Sequence, residues 1–226
     1  MNQKNLDLSG PQQLLNRPWV IFDCETSGLP LPGKGPNGKP HPADAPGQPR
    51  LASIAMIMTT STLAVTNTFH SYVRPAGWKM DPGATRANGL TDEFLRENGA
   101  DVSEALDAYE QAIRKGYNFA AFNIAFDAKI MRGELRRAGR PDHYEKTPTF
   151  CIMKASTGVC KLQKANGGLK FPKLDEACAH FKIERRSSHN ARSDAGDALR
   201  VMRMLMQIGI DCTPKIHISA PGDSEL

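Results

Sequence analysis

The chain has 226 residues, 40% of them hydrophobic, and 29 Lys plus Arg against 24 Asp plus Glu give a net charge of +5 and a pI near 9.0. This length suits one domain with an elaboration and a sizeable core, and the mild basicity favours a polyanionic partner only slightly. No window approaches the roughly 18 apolar residues of a membrane span, MNQKNLDLSGPQQ lacks the apolar stretch of a signal peptide, and Cys24, Cys151, Cys160, Cys178 and Cys212 spell neither a zinc site nor a disulfide framework, so a reduced, cytoplasmic setting away from membranes is expected.

Residues 1–16 are polar and read as a loose arm. Pro18 to Phe22 is a continuous apolar run that stops at Asp23, which suits a central strand buried on both faces. Residues 28–49 are rich in Pro and Gly and form an insertion loop, of a length that is usually functional or disordered. Leu51–Thr60 and Val65–Val73 read as two strands around a turn at Ser61-Thr62. Ala84–Asn88 and Asp92–Arg96 are short helical turns separated by Gly89. Val102–Lys115 is an amphipathic helix with Val102, Ala105, Leu106, Tyr109 and Ile113 on one stripe. Asn118–Phe122 is a short strand, Ala125–Ala138 a helix stopped at Gly139, Phe150–Met153 a short strand, and Leu174–Phe181 a short helix. Ala191–Gln207 is a longer helix with Ala195, Ala198, Leu199, Met202 and Met206 inward, followed by a loose tail over 210–226. The order predicts a single α/β domain over 17–209, with a mixed five-stranded sheet, three antiparallel strands and then parallel ones, flanked by helices.

Asp23-Cys24-Glu25 stands at the end of the buried strand, where residues i and i+2 point to one side. Two carboxylates held together repel unless a cation lies between them, and a hard dication such as Mg²⁺ or Mn²⁺ answers that need. The motif alone is weak. Chance supplies Asp-x-Glu in roughly every second chain of this size, and a second copy, Asp223-Ser224-Glu225, sits in the tail as a solvated pair. Asp127 falls in the first turn of a helix after a short buried strand, where an acid also serves the helix dipole. Asn190 is a candidate N-cap, which puts Asp194 in the first turn and His189 in the preceding loop. Each of these alone reads as structural first. Together, four carboxylates and a histidine at strand ends and helix starts make a candidate metal cage, since α/β folds place ligands there.

These residues resemble the DEDDh (DnaQ-like) 3′→5′ exonuclease family, including its proofreading and phage-type members. Phe22-Asp23-Cys24-Glu25-Thr26-Ser27-Gly28-Leu29 is similar to the first motif, Asn123 to Asp127 to the second, and His189 with Asp194, four residues between them, to the third. Asn88-Gly89-Leu90-Thr91 and Phe171-Pro172-Lys173-Leu174 resemble connecting segments of the same family, so the likeness runs from about Trp19 to Met206. Phe122 and Asn88 stand where many members have histidine, outside the metal set. Asn190 stands where the sister tyrosine group has its Tyr, so the histidine form fits.

The resemblance implies an RNase H-like fold, two Mg²⁺ (or Mn²⁺) ions held by Asp23, Glu25, Asp127 and Asp194, and His189 as general base. It implies contacts to the terminal nucleotide from Thr26, Asn123 and Phe126, although Phe126 also reads as plain core. The implied substrate is nucleic acid, most simply single-stranded DNA. The alternatives are an RNA-directed enzyme of the same family, a proofreading subunit with a polymerase partner, and a non-catalytic binding module. Of the basic residues, Lys129, Arg132, Arg136, Arg137 and Arg140 read as a solvated helix face, while Arg185, Arg186 and Arg192 flank His189 and could track phosphates. Cys24 points away from the acids and reads as core.

Overall fold

The computed structural model describes residues 11–35, 38–185 and 190–217. Its central strand carries Asp23 and Glu25 near its end, as expected. Strand β1 spans Trp19–Thr26 and pairs antiparallel with β2, Leu51–Thr59, from Trp19↔Thr59 to Thr26↔Leu51. Ladder hydrogen bonds are indifferent to side-chain polarity, so the two acids ride inside the strand. Strand β3, Val65–Tyr72, continues the meander antiparallel to β2, while β4, Asn118–Ala121, and β5, Thr149–Cys151, run parallel on the other side of β1. The sheet order β3-β2-β1-β4-β5 is the mixed five-stranded arrangement expected from the sequence.

Eight α-helices are described: α1 (Pro11–Leu15), α2 (Pro82–Asn88), α3 (Asp92–Asn98), α4 (Val102–Arg114), α5 (Ile124–Arg137), α6 (Ile152–Cys160), α7 (Leu174–His180) and α8 (Ala191–Gln207). Side-chain alternation along β1 splits the interior in two. Val20, Phe22 and Cys24 face a core closed by Leu106 and Tyr109 of α4 and Met131 and Leu135 of α5. Trp19 and Ile21 face a second core closed by Ala177 and Cys178 of α7 and Ala198, Leu199 and Met202 of α8. In the first core Phe22, Tyr109 and Phe119 meet edge-on or tilted, with ring centroids 4.8 to 5.8 Å apart, an arrangement that suits the ring quadrupoles.

The structure corrects four local expectations. Residues 11–15 form a helix rather than a loose arm, because Leu14 is buried and its carbonyl accepts from Asn118 Nδ2 at 2.6 Å. Met153 lies in α6, not in a strand. Ser156, Thr157 and Gly158 weaken the helical signal there, while the Ser156 and Thr157 hydroxyls fold back onto the carbonyls of Ile152 and Met153. The start of the tail is tied down: Cys212 is buried and Lys215 bridges Thr149 of β5. The basic face of α5 is not solvated throughout, since Arg132 is 4% exposed and pairs with Asp142.

The described parts of the 28–49 loop dock on the body. Gln48 is buried, donates to Pro42 O at 3.1 Å and accepts from Leu31 N–H at 3.2 Å. Ala43 lies against α5 at Gly133, where an added Cβ would stand 2.5 Å from Ala43 O. Only glycine permits that approach.

Candidate active site

Asp23 and Glu25 share the sheet face of Trp19 and Ile21, which is the face α8 covers. Helix α8 comes close because the contact residues are small. Ala191 and Ala195 pack on Ala55, the β2 residue paired with Asp23. Asn190 starts the helix as expected, its Oδ1 accepting from the N–H groups of Arg192 and Ser193 at 3.1 and 3.4 Å. One turn on, Asp194 reaches the strand acids, and carboxylate oxygens of Asp23, Glu25 and Asp194 lie within 4.8 Å of one another.

Asp127 reaches the same place from the other core. Strand β4, parallel to β1, delivers the chain to Asn123, whose carbonyl accepts from Asp127 N–H at 3.3 Å as α5 begins. Asp127 is 3% exposed, and its Oδ1 accepts from Cys24 N–H, between the two strand acids, at 2.9 Å. The fourth carboxylate is thus committed to the β1 backbone and stands beside the three-acid cluster.

The electrostatics are those of a cage of negative charge. Desolvation pushes the Asp23 carboxyl well above the ordinary carboxylate range, with Asp127, Glu25 and Asp194 adding to the rise and Arg185 opposing it. The Asp127 carboxyl is pushed up to about 8, first by burial; the N–H groups of Cys24 and of Asp127 itself pull it down, and Glu25 and Asp194 push it further up. Crowded carboxylates, with those of Asp23 and Asp127 held above the ordinary range, are ones that a cation would relieve. The donors are all hard carboxylate oxygens, so among biological metals they fit a Mg²⁺- or Mn²⁺-like ion rather than one seeking sulfur or imidazole.

His189 and Arg186 lie outside the described residues, as do Asp223 and Glu225. Thr26 is buried; its hydroxyl donates to Gly28 O at 2.7 Å and its carbonyl accepts from Asn88 Nδ2 at 3.2 Å. Phe126 is half-buried against the first core. Cys24 is buried in that core, as expected.

Two supports were not foreseen. Arg185, taken from the sequence as a phosphate contact, is ion-paired with Asp194, Asp197 and Asp175, so it serves as an internal tie that fastens α7 to the start of α8. Asp197, 1% exposed, also pairs with Arg200. The spacing Asp194-x-x-Asp197 places both acids on one helix side and could have signalled such a partner. Glu134 is the second support. It is 1% exposed and accepts from Arg50 Nε at 2.7 Å, Arg50 Nη2 at 2.9 Å, Leu51 N–H at 3.0 Å and Arg137 Nη1 at 3.2 Å. It locks α5, which carries Asp127, to the first residue of β2, which pairs with Thr26.

Comparison with known proteins agrees with this geometry. A family profile described as an exonuclease of RNase T type matches residues 20–202. No curated protein sequence matches the chain. Among solved structures, Escherichia coli exonuclease I in complex with a dA16 oligonucleotide superposes with a TM-score of 0.67 at 18% identity, covering 84% of this chain and 41% of that one. The zinc-ion-bound form of the E. coli enzyme with single-stranded DNA gives 0.69 at 18%, covering 86% and 41%. A moderately thermophilic exonuclease I from Methylocaldum szegediense gives 0.68 at 20%, covering 85% and 41%. This chain therefore spans about two-fifths of the length of those enzymes, and the likeness is one of fold. The family profile covers most of the chain, and the chain belongs to this exonuclease family, in keeping with the DEDDh resemblance of its motifs.

Proposed function

We propose that this member of the exonuclease family is a divalent-metal-dependent 3′→5′ exonuclease acting on single-stranded DNA. The observation that carries the reading is the convergence of Asp23, Glu25 and Asp194 within 4.8 Å on a chain of that family. The dA16 and dT13 oligonucleotides bound to the similar E. coli exonuclease I structures support a single-stranded DNA substrate.

In this reading Asp23, Glu25, Asp127 and Asp194 hold two Mg²⁺ or Mn²⁺ ions. When bound, such ions supply Lewis acidity, easing ionisation of water and offsetting charge that builds on the phosphodiester. The protein's own part is positional. The β1–β2 ladder fixes Asp23 and Glu25, the Cys24 N–H fixes Asp127, and Arg185 with the Asn190 cap fixes Asp194. His189 takes the proton of the attacking water, a task suited to a group whose ordinary pKa is about 6.5. Water oxygen bonds to phosphorus, the bond from phosphorus to the 3′-oxygen of the preceding nucleotide breaks, and that oxygen leaves with a proton. The product is a nucleoside 5′-monophosphate. Thr26, Asn123 and Phe126 are assigned to the terminal nucleotide.

The test is digestion of matched single-stranded DNA and RNA, labelled at the 5′ end, with Mg²⁺ or Mn²⁺. Shortening from the 3′ end is expected, faster on DNA, and Asp23→Ala should lower the rate about a thousandfold, the scale of several kcal/mol of lost charge stabilisation. Faster RNA cleavage would move the substrate to RNA; equal inertness of wild type and variant would overturn the enzyme reading.

A further inference from the structure

Between α6 and α7 the chain projects as a hairpin arm. Gln163 bridges Leu169, Lys164 N–H donates to Gly168 O at 2.9 Å, and Lys170 N–H donates to Leu162 O at 2.9 Å. The turn is made at Asn166-Gly167-Gly168, both glycines with positive φ. Every residue from Gln163 to Leu169 is exposed. The arm is thus an ordered projection with little of itself buried.

Its chemistry is lopsided. Residues 161–173, KLQKANGGLKFPK, contain four lysines and no acid. Lys170 is paired with Glu176 at 2.6 Å, while Lys161, Lys164 and Lys173 are exposed. Beside them stand two large apolar side chains in water, Leu169 at 42% and Phe171 at 57% exposure. An exposed ring flanked by cations on a projecting arm does nothing for the core. It matches a strand that offers both phosphates and unpaired bases. The arm is also rooted at the candidate active site. Phe171 lies four residues before Asp175, and Asp175 is paired with Arg185, which is paired with Asp194.

We propose that this arm is a binding surface for single-stranded nucleic acid, with Phe171 stacking on a base and Lys161, Lys164 and Lys173 meeting backbone phosphates of the strand whose 3′ end enters the carboxylate cluster. The proposal rests on the exonuclease reading for the identity of that strand. It adds a strand-guiding surface outside the three motifs. Charge decides the occupant: three exposed cations, with Glu176 the acid beside Lys170 and Lys173, would repel a basic protein surface and leave an apolar one with three cations to desolvate, whereas a polyanion satisfies them.

The experiment measures anisotropy of a fluorescent oligothymidylate long enough to span arm and cluster, over a salt titration with Ca²⁺ in place of Mg²⁺. Replacing Lys161, Lys164 and Lys173 by Ala together should make the slope of log affinity against log salt shallower by about 2, since each single-strand phosphate contact contributes about 0.7. The triple Lys→Arg variant should restore the slope. Phe171→Ala should weaken binding by about fivefold or more without changing the slope. All variants should melt with wild type and hydrolyse the p-nitrophenyl ester of thymidine 5′-monophosphate, too short to reach the arm, at the wild-type rate. Arm variants that bind the oligonucleotide with wild-type affinity and slope overturn the arm while the ester activity leaves the exonuclease reading standing. A wild type inert on ester and oligonucleotide, with binding still lost in the arm variants, overturns that reading and keeps the arm as a nucleic-acid surface.

Discussion

Glu134 is the side chain on which the mounting of the site can be tested without touching the carboxylate cluster. It sits two turns along α5 from Asp127 and satisfies two arginines and one backbone N–H from a position 1% exposed to solvent. Glu134→Ala strands the Leu51 N–H at the first residue of β2, which costs about 1–3 kcal/mol for a buried unsatisfied donor. Arg50 and Arg137 lose their shared counter-charge. Both are about a quarter exposed or less, so water recovers only part of that loss, and breaking a buried pair of this kind costs about 3–5 kcal/mol in all. Glu134→Gln keeps an acceptor for Leu51 and gives up the charge, so it should fall between wild type and Ala. Urea unfolding at neutral pH, followed by tryptophan fluorescence, reads the difference as a shift in midpoint at constant slope. An Ala variant within about 0.5 kcal/mol of wild type, the range of an ordinary surface substitution, would refute the claim that this residue holds α5 to the sheet.

Three further outcomes follow from the same geometry. With divalent ions chelated, the folded Asp127 carboxyl titrates at about 8 against an ordinary 3.8; a folded value above the unfolded one means stability is fully present at low pH and is lost as pH rises toward 8, by about 1.4 kcal/mol per pH unit for one proton. Asp127→Asn should flatten that decline by about one proton's slope, and denaturant midpoints with equal pH dependence in both proteins would contradict it. For the cluster, Mn²⁺ at about a hundred times its dissociation constant should stabilise wild type by about 2.7 kcal/mol. Asp194→Ala should lose most of the resulting rise in melting temperature, and an unchanged rise would place the ion elsewhere. Gly133→Ala adds a Cβ that meets the backbone of Ala43 at 2.5 Å; despite a helix-propensity gain of about 1 kcal/mol, we expect a net loss of about 1–3 kcal/mol and faster proteolytic cleavage within residues 38–49, whereas unchanged cleavage would mean the loop is not docked there.

The sequence by itself determined the sheet, most helices and the positions of the acids. Period-two alternation at Trp19–Thr26 and the Asn190 cap depend on neighbours along the chain, so the facing of Asp23 with Glu25 and the placing of Asp194 in a first turn could be read locally. Tertiary contacts decided the rest. That Arg185 ties Asp194 and Asp175, that Asn88 reaches across 62 residues to Thr26 O, and that Glu134 buries its charge against Arg50 are pairings of distant residues, which no local pattern encodes. Helix α6 was missed because Ser156, Thr157 and Gly158 are weak helix formers whose cost is met by packing Ile152 into the second core. The strand carries Asp23 and Glu25, as the sequence suggested, because pairing with β2, and not polarity, sets its end. A carboxylate pair is a property of the chain; a carboxylate cluster exists only because three alanines let α8 approach the sheet closely enough for the charges to meet.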